Sequence, residues 1–429
     1  MSACDAEASL LQRGLQFLEE NDEKRAGAWL VWLLLVLVRW MVGLHSYSGE
    51  HTPPMFGDYE AQRHWMEITT SLPVSDWYFN TTSNDLLYWG LDYPPLTAYV
   101  SYLLGRAAGV TEPAMVELAS SRGYESATSK VFMRTSVVLC DVALFIPAIY
   151  YVARALYGSE QWTRRTAFLL LILLQPAVVL IDHGHFQRIF PFGRGLFEDK
   201  VANFWCIADF VLKIRRHVTP TLQMRLCTVM TFIGFSPSVI DLLRRKPTNL
   251  RFVLSLAICS LSFFLFSFQV HEKTILLPLL PISFLFAHNA LLSGWFSVLS
   301  AFSMYFLLQK DGLVLPYIVL QLAYVSVAVV PFLTPGTAKH LHVQQTELAP
   351  GYEQDGSTHP LFRAYVMLSL VGIVVIHAAQ VWITPPARYP HIHDYVFAAY
   401  SCGHFLLVLV YLTYWQWTAE THSKKAKKE

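Results

Sequence analysis

The run Gly57-Asp58-Tyr59-Glu60-Ala61-Gln62-Arg63-His64-Trp65-Met66-Glu67-Ile68-Thr69 concentrates acids, bases and rings in a chain that is otherwise mostly apolar. On a helix, Asp58, Gln62, Trp65 and Thr69 fall on one face and Glu60, His64 and Glu67 on another. A carboxylate held beside a membrane can act as a general base toward a sugar hydroxyl. Trp65, Trp77, Tyr78, Trp89 and Tyr93 offer flat surfaces of the kind that pack on sugar rings. The same spacing also describes an interfacial helix with solvated charges and an aromatic belt, and both readings stand.

Three further groups carry chemistry. In Asp92-Tyr93-Pro94-Pro95 the prolines stiffen the backbone, so Asp92 is either a rigidly held acid or a cap with Pro94 in the first helical turn. Phe268-Gln269-Val270-His271-Glu272-Lys273 sets a His and a Lys at a membrane boundary, where cations suit a lipid phosphate; boundary lysines also arise from topology alone. Asp182-His183-Gly184-His185-Phe186-Gln187 is a poor metal site by spacing and reads better as a hydrogen-bonded cluster. Arg39, Arg134, Asp141 and Arg154 lie inside apolar runs. Arg134 and Asp141, seven apart, share a face that should turn inward and be partnered.

These groups need a membrane scaffold. The 429 residues are 54% hydrophobic and 15% charged, well below the roughly 25% charged of a soluble domain. Mean hydropathy is +0.37. A net charge of +1 gives no pull toward nucleic acid. Six scattered cysteines without a CxxC spacing are small buried hydrophobes. Spans need about 20 apolar residues. Candidates are 27–44, 96–110, 131–157, 166–181, 222–243, 252–268, 274–287, 291–308, 313–333, 362–383 and 396–417, with 204–214 a twelfth or a re-entrant piece. The expected order is a cytosolic segment 1–26, a first span 27–44, a catalytic loop 45–95, a multi-span domain 96–418 and a cytosolic tail 419–429. Leu10, Leu11, Leu15 and Leu18 predict a short interfacial helix before the first span. A solvated connector is expected at 334–360. The basic tail ending Lys424-Lys425-Ala426-Lys427-Lys428-Glu429 is cytosolic by charge bias and fits a dilysine retrieval signal. The sequon at Asn80 is usable only if the first loop is lumenal.

The 57–69 run, Trp77-Tyr78-Phe79, Leu91-Asp92-Tyr93-Pro94-Pro95-Leu96, Asp182–Gln187, 195–203 and 268–273 together resemble the endoplasmic reticulum dolichyl-phosphate-glucose-dependent glucosyltransferases. The resemblance spans about 27–290; beyond it only hydropathy matches. Glu60-Ala61-Gln62-Arg63-His64-Trp65 and Tyr88-Trp89-Gly90-Leu91-Asp92 are most similar to the paralogue that adds the first glucose, with the second-glucose paralogue nearest to it. The resemblance implies an all-α polytopic GT-C fold of about 11–12 spans, in the endoplasmic reticulum membrane, with its active site in the first lumenal loop. It implies transfer of glucose from dolichyl phosphate glucose to a mannose of Man9GlcNAc2-PP-dolichol, forming an α-1,3 bond with inversion. Asp58 matches the catalytic aspartate, Asp92 a helper, and His271 and Lys273 the donor-phosphate site. Glu60, Arg63, His64 and Trp65 are expected sugar contacts. No metal or other cofactor is expected; the partners are the two dolichol-linked lipids and the membrane. One departure is clear: several spans normally separate the 182–187 and 195–203 motifs, and here only seven residues, 188–194, do. An internal block of the membrane core is missing. An odd number of lost spans would put His271 and Lys273 across the membrane from Asp58. A catalytically inactive shortened chain and a transporter are the competing readings; a transporter would gather its ionisable residues in broken helices near the midplane.

Overall fold

The computed structural model describes residues 10–185, 200–246, 248–268, 270–333 and 359–425. The expectations for 1–9, Phe186-Gln187, 195–199, Gln269, most of the connector and the last lysines lie outside them. The described residues form helices α1 Leu10–Glu20, α2 Lys24–Gly43, α3 Gly57–Ser71, α4 Pro95–Thr111, α5 Ala127–Tyr157, α6 Trp162–Leu173, α7 Pro176–Gly184 and α8 Phe204–Leu212. They continue with α9 Pro220–Arg244, α10 Asn249–Phe266, α11 Leu276–Phe284, α12 Ala290–Ser303, α13 Tyr305–Lys310, α14 Val314–Leu333, α15 Pro360–Trp382 and α16 Ile392–Lys425. No strand occurs among the described residues.

The expected 11 or 12 spans are corrected to fewer. Among the described residues, seven helices (α2, α5, α9, α10, α14, α15 and α16) are long and apolar enough to cross a membrane, and an eighth span arises if α6 and α7, bent by 50°, count as one. Pro176 opens α7 after the break, as a residue lacking an N–H donor favours a helix start. Four expected spans are too short: α4 has 17 residues, α8 has 9, α11 has 9 with Pro281 inside it, and α12 has 14. The last is buried from Ala290 to Phe302. A helix enclosed by other helices is apolar all round, as a lipid-facing one is, so hydropathy cannot separate them.

Inside the bundle, small residues let helices meet. A Cβ added to Gly294 of α12 would lie 2.3 Å from the Ala328 carbonyl oxygen of α14. Ser293 donates to Ile282 O at 2.7 Å, and Gln321 of α14 donates to Val298 O at 2.9 Å. Such close packing and interhelical hydrogen bonds replace the hydrophobic drive that lipid does not supply. Helix α1 forms where the leucine spacing predicts a short helix. Its Leu11, Leu15 and Leu18 pack into the main core against α6, and Thr163 donates to Glu19 at 2.7 Å.

Three of the four charges expected inside spans are partnered, though not as a pair of Arg134 and Asp141. Arg39 Nε donates to Asp141 at 2.5 Å and its Nη2 to Leu173 O at 3.0 Å. Arg134 donates to the carbonyls of His183 and Gly184. Arg154 is exposed. Asp141 and His183 sit on π-helical turns, Asp141–Phe145 and Leu180–His185, which widen the helices where the cluster forms.

The Gly294 contact leaves no room for a side chain against rigid backbone. Gly294→Ala should cost about 1–3 kcal/mol and lower the melting temperature in detergent micelles. Gly14→Ala, whose new methyl meets nothing within 4 Å, should leave that temperature unchanged or raise it slightly.

Candidate active site

Asp58 lies in the first turn of α3. Phe56 (φ +54°) and Gly57 (φ +66°) both adopt the left-handed region, and a Cβ on Gly57 would lie 2.6 Å from Ser48 O. Only glycine fits there, so loop 46–56 folds tightly over the start of α3. The Asp58 amide donates to Ser48 Oγ at 3.4 Å. A carboxylate at a helix N-terminus is favoured in its ionised form.

Lys273 reaches that carboxylate from the other half of the chain. Its Nζ forms an ion pair with Asp58 Oδ2, joining residues 215 positions apart, and the lysine is fully buried. The turn Glu272–Ile275 that carries it is closed reciprocally. The Lys273 amide donates to His271 Nδ1 at 3.4 Å and the His271 amide to Thr274 Oγ1 at 3.3 Å. His271 Nδ1 also lies 2.9 Å from Glu272 Oε2. Burial acts to raise the Glu272 pKa, but the adjacent His271 outweighs it and holds the carboxyl down.

Asp58, His271 and Glu272 face one cavity of about 810 Å³, within the size range of small-molecule sites. Its other walls come from the loop before α3, from Trp89 and Lys200, from α13 and the turn after it at Lys310, Asp311 and Gly312, and from the start of α16 at Asp394 and Phe397. Lys200 Nζ is 3.4 Å from Asp394 Oδ2. Sequence reasoning missed Lys310, Asp311 and Asp394, which lie beyond the recognisable motifs. Lys200 stood in a quoted motif without a role.

The other expected site residues divide. His271 lines the cavity; Lys273 does not, because it is turned onto Asp58. Asp92 is half-buried in the loop before α4 and is not among the cavity-lining residues. It is not the cap of α4 either, since Pro94 holds that position and Pro95 the first turn. Glu60, Arg63, His64 and Trp65, expected as sugar contacts, are buried away from the cavity walls. Arg63 holds Glu60 through two bonds of 2.7 Å and Glu67 through another, and donates to Met115 O and Ser121 Oγ. His64 Nδ1 is 2.9 Å from Glu67. The amides of Ala119 and Gly123 donate to Glu67 and Glu60, so this network clamps segment 115–123 onto α3. Trp65 Nε1 donates to Trp89 O, and Trp89 is the expected sugar-packing ring that reaches the cavity.

Asp141, Asp182 and His183 bring ligand atoms within 4.8 Å of one another. Arg39 already supplies positive charge to Asp141, and His183 Nε2 is 3.0 Å from it, as expected of a hydrogen-bonded cluster.

The network gives a pH prediction. Burial works to raise the Glu67 pKa, but His64 and Arg63 reverse this and hold it at about 2, against an ordinary 4.5. A depressed carboxylate contributes stability that is full above pH 4.5 and disappears as pH falls toward 2. Melting temperature should therefore be insensitive to Glu67 between pH 5 and 7. Glu67→Gln, which leaves Arg63 short of a counter-charge, should cost about 3 kcal/mol at pH 7 and flatten the acid-side decline.

The family model described as the ALG6, ALG8 glycosyltransferase family matches residues 35–187 and 188–411. A Dictyostelium discoideum relative called a probable dolichyl pyrophosphate Man9GlcNAc2 alpha-1,3-glucosyltransferase is 34% identical, over 89% of this chain and 93% of its own. The Gallus gallus protein with that name, without "probable", is 36% identical over 88% and 94%, and the Saccharomyces cerevisiae one 32% over 84% and 86%. The Dictyostelium alignment runs over 487 positions; 89% of 429 residues is about 382, so about 105 positions have no residue here. The two family matches abut between Gln187 and Arg188, the junction at which the motif spacing predicts a missing block. A helical membrane scaffold, the quoted motifs and matches over most of its length together establish that this chain belongs to the ALG6, ALG8 glycosyltransferase family, membrane glycosyltransferases of the GT-C class.

Proposed function

We propose that this chain transfers glucose from dolichyl phosphate glucose to the lipid-linked oligosaccharide Man9GlcNAc2-PP-dolichol, making the first α-1,3-glucose linkage at the lumenal face of the endoplasmic reticulum. The observation that carries this reading is an ionisable carboxylate, Asp58, on the wall of a sugar-sized cavity at the start of a helix matching the family's motif. The relatives' names supply the acceptor and the linkage.

In this mechanism Asp58 takes the proton from the acceptor mannose hydroxyl as its oxygen attacks the glucose anomeric carbon. The new carbon–oxygen bond forms on the face opposite the phosphate, and the bond to phosphate breaks. The electron pair leaves on dolichyl phosphate, so the β-linked donor becomes an α-linked product in one displacement. Lys273 favours the ionised form of Asp58 before the acceptor arrives, because an opposite charge lowers the cost of ionisation. His271 and Lys200, on the same cavity, meet the charge that grows on the departing phosphate. Side-chain cations serve that role without a metal, so chelation by EDTA should leave the rate unchanged.

The roughly 105 unmatched positions favour a second reading, in which the same cavity is kept but turnover is lost. Transfer from short-chain dolichyl phosphate glucose to a Man9 acceptor by the purified chain distinguishes the two. Asp58→Asn should lower the rate by about 10²–10⁴-fold. That variant also strands buried Lys273, so the double variant Asp58→Asn with Lys273→Met should regain melting temperature but not activity. Transfer by either variant at the unsubstituted rate would remove Asp58 from the mechanism.

A further inference from the structure

We propose that Lys310, at the end of α13, is a donor-phosphate contact, an assignment that rests on the glucosyl-transfer reading. An anion entering the cavity needs a cation whose charge is not already matched by a carboxylate. Lys273 is paired with Asp58, His271 stands against Glu272, and Lys200 against Asp394. Each would have to leave an acid, or share it, to receive a phosphate. Lys310 lines the same cavity, is exposed, and has no ion-pair partner among the described residues.

A lysine in the last turn of a helix is also favoured by the helix dipole, which alone would account for its type. Its placement needs more. Ser46 Oγ donates to the carbonyl of the next residue, Asp311. Gly312 then takes φ +71°, and a Cβ there would lie 2.5 Å from Ser46 Oγ. The turn after α13 is thus pinned to the loop that leads into α3, which ties the root of Lys310 to the segment presenting Asp58. The donor carries one negative charge on its phosphodiester and its departing monoester carries more, so a cation here binds both and favours the later one.

The test uses the full chain in detergent, with short-chain dolichyl phosphate as probe and the corresponding dolichol as control. Binding is read by quenching of tryptophan fluorescence, Trp89 being on the cavity wall. Lys310→Ala should weaken dolichyl phosphate binding by about tenfold, the scale of a lost charge-assisted hydrogen bond, and leave dolichol binding unchanged. Donor KM should rise by a similar factor with acceptor KM unchanged, and Lys310→Arg should restore both. Gly312→Ala, which displaces the turn without removing the charge, should give a smaller loss in the same direction. Unaltered dolichyl phosphate binding in Lys310→Ala, equal weakening toward dolichol, or no rescue by arginine would overturn the assignment. Absence of glucose transfer by the unsubstituted chain overturns the glucosyl-transfer reading itself, whereas the binding comparison still tests Lys310 directly.

Discussion

The contact between Asp58 and Lys273 governs this molecule, because neither charge is tolerable in its place without the other. Lys273 is wholly enclosed and Asp58 nearly so. Removing one member of such a pair leaves an uncompensated buried charge, at a cost of about 3–5 kcal/mol. The pair therefore locks two distant stretches of chain together: the first loop, which carries α3, and the turn Glu272–Ile275 beyond α10. The cavity is what lies between these stretches, and its other walls are arranged around them. The carboxylate on the cavity wall and the fastening of the fold are the same group.

A second clamp acts on the opposite flank of α3. Arg63 bridges Glu60 and Glu67, and the two acids in turn receive backbone amides from segment 115–123. Arg63, Glu60 and Glu67 are satisfied by one another and by main chain, which makes a buried polar network rigid rather than costly, and His64 adds one ring nitrogen to Glu67. The helix that presents Asp58 is thus held at its start by Lys273 and along its length by Arg63. A general base gains most from such fixation, since a misplacement of about 1 Å can cost about a hundredfold in rate.

Much of the site could be read from residue order, and the failures have physical causes. Asp58 and His271 reach the cavity as their motifs implied. Glu60, Arg63 and His64 were assigned to sugar because charged residues one turn apart look alike whether they face solvent, ligand or each other. Burial alone separates these cases, and it is a tertiary property. Lys273 was placed on phosphate for its charge, yet that charge faces Asp58. Lys310 and Asp394 were invisible because the chain brings them to the cavity from beyond the motifs, across helices whose order in space no local pattern encodes. The span count failed for the reason that enclosed α12 and lipid-facing α14 have similar composition.

Parity bears on the choice between seven and eight spans among the described residues. Asp58 and Lys273 touch, so an even number of crossings must separate them. Among the described residues, the helices long enough to cross between them are α5, α9 and α10, which is three. Counting the bent pair α6 and α7 as one span gives four, the even number that the ion pair requires. The same rule holds around the rest of the cavity. No helix long enough to cross lies between Lys273 and Lys310, and two, α14 and α15, lie between Lys310 and Asp394. With α2 before Asp58 and α16 after Asp394, the segments leading into α2 and out of α16 share the side opposite the cavity. The two family matches abut between α7 and α8, among the crossings from Asp58 to Lys273. An even number of additional spans inserted there would keep the two partners of this ion pair on one side of the membrane, and an odd number would part them.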